Sequence, residues 1–267
     1  MEITKAGKVH YLEPRNITTD GMIVAGFTTR HEGVSRPPYN SLNLGANTLD
    51  PPHNVKGNRS LLARACGTRL EKLVTVEQVH GTDLLVIDSK NQDLSHFLKL
   101  ECDGIVTNQP GVMIAIGVAD CVPILLFDPV KRVIAALHAG WKGTAGNIVA
   151  KGVEALCDCF ETETGSIKAA IGPAIGPCCY EVDEPVRDAF RKSGLAWEGC
   201  ATPQGTGKWG LDLKQANRMQ LLAAGVLEGN IETASHCVSC NPDLFFSYRR
   251  DQGETGRHLG FIMLQKR

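Results

Sequence analysis

The chain has 267 residues, 43% of them hydrophobic and 21% charged, with 28 basic against 29 acidic side chains and a formal net charge of −1. A chain of this size buries roughly 75% of its extended surface and needs no disulfide framework, and its balanced charge lacks the basic stripe of a nucleic-acid binder. The longest apolar stretch, GVMIAIGVADCVPILLF, is interrupted by Asp120 and Pro123 and is too short and polar to span a bilayer, and MEITKAGKVHYLE has no signal-peptide core.

In chain order, MIVAGF (22–27) reads as a strand, followed by the long turn-rich loop TTRHEGVSRPPYNSLNLGANTLDPPHN, of a length that usually carries function. NRSLLARAC (58–66) predicts a short helix. LVTVEQVH (73–80) and LLVID (84–88) predict strands on either side of Gly81-Thr82-Asp83. DGIVT, GVMIAIGV, VPILLFD and RVIAALH then crowd into residues 103–138, near-continuous apolar runs of the kind buried on both faces. Val149, Val153, Leu156 and Phe160 fall at helical spacing and predict a helix over 144–160. SIKAAIG (166–172) returns as a strand. Further helices start near Asp183 and at Asp212, where D-L-K-Q offers a capping side chain. RHLGFIML (257–264) is the last strand. No linker, charge block or repeat divides residues 1–267. The expectation is one domain of α/β layers with a mixed β-sheet, cytoplasmic, with no nucleic-acid, membrane or protein partner implied.

Among eight histidines, His80 and His138 close β-like runs and are followed at once by a glycine-containing turn (VEQVHG, AALHAG), while Cys121 stands at a third strand junction. Strand ends in layered folds converge on ligand crevices. One thiolate and two imidazoles suit Zn²⁺ and leave a fourth position open, as in catalytic sites. Separations of 41 and 17 positions match no short metal motif, so a buried thiol and core histidines explain the same letters.

Cys237-Val-Ser-Cys240 is a lone C-x-x-C and Cys178-Cys179 an adjacent pair. They read as buried packing, with a second metal or a redox pair as the alternative. No H-E-x-x-H, Walker A or G-x-S-x-G occurs. Gly140-Trp141-Lys142-Gly143-Thr144 leads into a helix N-terminus that favours an anion. FFSYRRDQGETGR places Arg249, Arg250 and Arg257 in one turn-rich stretch. Both segments also fit an ordinary turn and a solvated loop.

The blocks TTRHEGVSRPPYNSLNLG, VEQVHG, ADCVPILLFDP, ALHAGWKGT, AIGPAIGPCCYEV and FFSYRRDQGETGRHLGFIML together resemble the YfiH/YlmD family over nearly the whole chain, the bacterial YlmD-type members most. That family has been named polyphenol oxidase (laccase domain) and later purine nucleoside phosphorylase. The resemblance implies an α/β/α domain with zinc, or copper in its place, on His80, Cys121 and His138 as metal ligands and catalytic centre. It also implies phosphorolysis of adenosine, inosine and methylthioadenosine, and deamination of adenosine. Some members are linked instead to hydrolytic editing of UDP-N-acetylmuramate-amino acid precursors.

A multicopper oxidase builds its copper cluster on H-x-H pairs, and the sequence has none; the laccase name is thus the weakest reading, although copper affinity would favour the same three ligands. In the purine reading, Asp120 and Glu77 are candidate proton shuttles. Lys142 and Arg249 are candidates to orient phosphate, and Asn43 to contact ribose or base. A binding protein whose zinc has a saturated fourth ligand is the non-catalytic rival.

Overall fold

The computed structural model describes residues 1–19, 21–88 and 94–266, the side chains of residues 95 and 96 excepted. Two six-stranded sheets carry the architecture. The first is ordered β1 (Glu2–Ala6), β2 (Val9–Glu13), β3 (Ile23–Thr28), β15 (His258–Leu264), β7 (Met113–Val118) and β4 (Leu73–Val74). The second is ordered β14 (Ile231–Thr233), β10 (Lys168–Ile171), β8 (Val122–Asp128), β9 (Val133–Ala139), β6 (Gly104–Thr107) and β5 (Leu84–Ile87). Both are mixed: β4–β7, β10–β14 and β5–β6 pair in parallel, the remaining neighbours antiparallel. A small third sheet joins β11 (Glu181–Val182), β13 (Lys208–Leu211) and β12 (Ala201–Gly205).

Side-chain alternation along β8 and β9 shows what covers each face. Ile124, Leu126, Ala135 and Leu137 pack outward against Val149, Val153 and Leu156 of α4 (Ile148–Phe160) and Leu221 of α6 (Leu213–Ala223). Leu125, Phe127, Ile134 and Ala136 point the other way and meet Phe27, Ile114, Ile116 and Ile262 of the first sheet. The outer face of that sheet packs Tyr11, Ala115 and Phe261 against Leu62 of α2 (Pro52–Ala65) and the loop residues Leu42 and Leu44. The α/β class and the outer helices are as expected. The expected one mixed sheet is two, stacked face to face. Runs buried on both faces look alike in sequence whether the cover is a helix or a second sheet, and here each central strand has one of each.

Local departures have local causes. The helix expected over 144–160 is two, α3 (Trp141–Ala145) and α4, divided at Asn147, which adopts φ 60°. The helix expected from 58 starts at Pro52, a residue suited to a first helical turn. The short α1 (Arg15–Thr18) follows β2, the helix expected near Asp183 is α5 (Glu184–Lys192), and Asp212 caps α6 by accepting the Gln215 amide at 3.0 Å. The long loop after β3 has a polar centre. Asp50 accepts from Ser35, Asn43 and Asn54, while Asn58 donates to the Ser41 and Asn43 carbonyls. Among the described residues no helix is long and apolar enough to cross a membrane.

His258, at the start of β15, is buried between Phe245 and Phe246, and its Nε2 accepts the Phe246 amide at 2.6 Å. Burial, reinforced by the charges of Arg30, Arg257 and Arg250, holds its pKa down at about 3. A proton on Nε2 would also displace that hydrogen bond. The unfolded chain therefore takes up this proton below about pH 6.5 while the folded chain does not, so the stability due to neutral His258 is complete above that pH and is lost as pH falls toward 3. Denaturant titrations across this window should show unfolding free energy falling with acid. In His258→Gln, which retains an acceptor without a titrating ring, the slope should be shallower by up to one proton, about 1.4 kcal/mol per pH unit. An unchanged slope would locate the acid sensitivity elsewhere.

Candidate metal centre

Alternation on β9 places His138 on the same face as Ile134 and Ala136, so its imidazole enters the layer between the two sheets at its rim. Cys121 precedes β8, the neighbour of β9, and packs against that same inter-sheet layer. His80 completes the group: the ligand atoms of His80, Cys121 and His138 all lie within 4.8 Å of one another. The two rings meet edge to face at 4.8 Å. Gly140 makes the convergence possible, because a Cβ there would stand 3.0 Å from both Cys121 Sγ and His80 Cδ2. No larger residue fits without moving a ligand.

The strand expected over 73–80 stops after Val74, and its end explains how His80 is held. The Gln78 side chain takes the place of a backbone ladder, donating to the Gly117 carbonyl at 2.8 Å and accepting its amide at 2.7 Å. Freed from a sheet, the amides of Val79, His80 and Gly81 turn onto the buried Asp103 carboxylate at 3.3, 3.0 and 2.5 Å, with His80 at φ 60°. The same carboxylate accepts His138 Nδ1 at 2.7 Å, which leaves Nε2 as that ring's ligand atom. Asp103 was not foreseen. Its only sequence signal is an acidic residue directly before a buried strand, which reads equally well as a turn.

Burial alone would raise the Cys121 thiol, but the charge and hydrogen bonds of His138 and His80 hold it at about 6. Burial would lower His138, yet the Cys121 thiolate and Asp103 hold it up at about 9. The donor set at neutral pH is a thiolate beside an imidazolium that gives up its proton when a cation binds. A soft sulfur, two imidazole nitrogens and a carboxylate orienting one of them fit a transition metal.

The other predicted residues fall into distinct places. Asp120 adopts φ 97° and accepts both the Ser247 hydroxyl and the Arg249 amide at 2.6 Å, and burial nonetheless pushes its carboxyl above the usual range. Arg249 is exposed, with its guanidinium 5.0 Å from the centre of the Tyr180 ring. Arg250 points inward, donating to the carbonyls of Val238, Ser239 and Phe245. Neighbours in this segment thus face opposite ways. Lys142 is exposed on α3, two residues beyond Gly140.

Asn43 is fully buried, and its amide is spent internally on Thr48, Asp50, Gly45 and the Arg257 backbone. It bears on the site through Arg257. That guanidinium lies within electrostatic range of Asp120 and Cys121 and helps to line a cleft of ≈ 530 Å³ with Tyr39, Leu49, Tyr248 and Glu254. Glu77 is exposed, and its backbone pairs with Leu100 and Cys102.

One expectation is corrected. Cys178, Cys179, Cys237 and Cys240 are not buried packing: Cys178 and Cys240 are exposed, the other two half-buried, and all four sulfurs lie within 4.8 Å of one another. The topology that joins two distant turns overrides the usual burial of a free cysteine.

A family model described as multi-copper polyphenol oxidoreductase laccase matches residues 24–265. A Geobacillus stearothermophilus protein named purine nucleoside phosphorylase YlmD is 43% identical over 90% of this chain and 89% of its own. Escherichia coli purine nucleoside phosphorylase YfiH is 38% identical over 91% of this chain and 94% of its own. The crystal structure of YlmD from Geobacillus stearothermophilus superposes with a TM-score of 0.90 at 39% identity, covering 98% of each chain. That of the Bacillus licheniformis hypothetical protein YfiH gives 0.91 at 37% identity, over 98% of this chain and 99% of the other.

Two outcomes follow for the cluster, with Zn²⁺ as the probe. Asp103→Ala should weaken zinc binding about 10- to 100-fold in a chelator competition, because His138 loses the partner that orients it. In the unmodified chain, zinc affinity should rise with pH up to about 9, the range over which a proton competes for His138. An affinity indifferent to both changes would place the metal elsewhere.

Proposed function

The chain belongs to the multi-copper polyphenol oxidoreductase laccase family, and from that premise we propose that it is a zinc-dependent purine nucleoside phosphorylase. Its substrates are adenosine, inosine and S-methyl-5′-thioadenosine, with adenosine deamination as a second activity. The observation that carries the reading is a three-donor cluster, His80, Cys121 and His138, with Arg257 within electrostatic range of Cys121 and itself lining a cleft. The purine nucleoside phosphorylase names of relatives that match nearly the full chain support it. Oxidation at a multicopper cluster finds no support in the donors: among the described residues the only other metal-competent group is four cysteines with no histidine.

In phosphorolysis a phosphate oxygen bonds to C1′ of the ribose, and the electrons of the C1′–N9 bond leave with the purine, which takes a proton. A zinc ion held by His80, Cys121 and His138 supplies Lewis acidity at neutral pH. The chain's own groups do the rest. Arg249, exposed against Tyr180, meets the phosphate, and Lys142 and Arg257, the latter anchored through its backbone by Asn43, help to hold that anion, whose negative charge stabilises the oxocarbenium as it forms. Asp120, directly before Cys121, is the proton shuttle for the leaving purine. In deamination, water adds at the amino-bearing carbon, and Asp120 relays a proton from the added water to the departing ammonia. The Asp103 carboxylate keeps both histidine positions fixed throughout.

Incubation of purified protein with adenosine, with and without phosphate, decides between the rivals. Adenine with ribose 1-phosphate supports phosphorolysis and inosine supports deamination. Turnover of UDP-N-acetylmuramate-amino acid alone would replace this reading with precursor editing. Within the phosphorolytic reaction, Arg249→Ala should raise the KM for phosphate about ten- to a hundred-fold, the loss of one charge-assisted hydrogen bond. Deamination, which binds no phosphate, should be spared. Equal losses in the two reactions would make Arg249 a structural residue.

A further inference from the structure

We propose that Cys178, Cys179, Cys237 and Cys240 form a second metal site, a tetrathiolate that holds one zinc ion in a structural role. The four residues come from two turns far apart in sequence. Cys178 and Cys179 follow β10 in the Gly176–Cys179 turn, and Cys237 and Cys240 bracket the turn anchored by the Ala174–Cys237 bridge. Cys240 Sγ lies 3.6 Å from Cys178 Sγ and 3.3 Å from Cys179 Sγ, and all four sulfurs are within 4.8 Å of one another. Four sulfurs at about 2.3 Å from one zinc ion would be separated by about 3.8 Å. A tetrahedral cation fits that spacing with little movement.

The surroundings suit a charged cluster of sulfurs. The Gly176 amide points at Cys237 Sγ, 3.2 Å away. The two turns pack closely at Gly176, where a Cβ would stand 3.2 Å from Cys237 Cβ and push the turns apart by a few tenths of an ångström. The buried Lys214 ammonium, held by the Ala234 and His236 carbonyls, lies within electrostatic range of Cys178 and Cys237 and offsets the excess negative charge of four thiolates on a divalent ion. Disulfides are the competing outcome, but one sulfur close to two others commits to neither pairing. Metal binding needs no oxidant: four thiols lose their protons to solvent and each sulfur donates an electron pair.

With four protein ligands no position remains for substrate, so the site is a clamp and not a second catalytic centre. What it clamps is specific. Arg250 binds the Val238 and Ser239 carbonyls, inside the C-x-x-C, and shares its segment with Ser247 and Arg249, the two donors to Asp120. Tyr180, next to Cys179, carries Arg249 on its ring. A metal here fixes the rim that faces the first site.

Metal analysis of protein purified under reducing conditions tests this, with Cys121→Ser to empty the first site. The expected result is two zinc equivalents in the unmodified chain and one in Cys121→Ser, with Cys240→Ser losing the other. Cobalt added to metal-stripped Cys121→Ser should give the strong sulfur-to-cobalt absorption of a four-thiolate tetrahedral site, a reading that stands even if Cys240→Ser fails to fold. A Cys121→Ser chain that binds neither zinc nor cobalt would overturn the proposal. So would disulfides among these four cysteines in the freshly isolated protein, detected by alkylation and mass spectrometry. A single zinc equivalent in the unmodified chain that survives in Cys121→Ser and is lost in Cys240→Ser would count against the first site and leave this one standing.

Discussion

The buried Asp103 carboxylate is the constraint on which the site depends. It accepts three consecutive amides, from Val79 to Gly81, and the Nδ1 proton of His138. A carboxylate taken out of water needs such donors, since an uncompensated buried charge costs several kcal/mol. Because the donors come from two of the three ligand segments, satisfying Asp103 also brings those segments together. The third segment is positioned by its neighbour on the other side. Asp120 is held in a left-handed conformation by Ser247 and Arg249, and Cys121 follows it directly. Two acids, neither in the donor set, thus place the donors.

The two acids differ in electrical environment. Asp103 faces only donors, and despite its burial the hydrogen bond and charge of His138 hold its carboxyl below the usual range. Asp120 also has donors, yet burial outweighs them and its carboxyl lies above the usual range. The cost of burial is thus outweighed at one acid and prevails at the other.

The sequence exposes the three candidate donors better than their support. His80, Cys121 and His138 stand out because each ends or begins an apolar run beside a glycine or a turn, a signal that does not depend on distant residues. Asp103 matters only through amides more than twenty positions earlier, and nothing local distinguishes its turn from any other. The number of sheets was hidden for a related reason: β8 and β9 are covered by α4 and α6 on one face and by the first sheet on the other, and an apolar run does not say which. The four-cysteine cluster was misread because a C-x-x-C and an adjacent pair have meaning only once β10 and the segment before β15 are neighbours. Arg257 entered the sequence reading as one of three arginines, and only folding separates it from Arg250.

Gln78 has a further effect, on how copies of the chain meet. The first sheet ends at β4, an edge only two residues long, which leaves the β7 strand beyond it open to pairing. At Gly117 the Gln78 amide already occupies both the donor and the acceptor that an incoming strand would seek. The turn that delivers His80 to the site therefore also denies this edge to strand addition, the route by which exposed sheets recruit one another into aggregates.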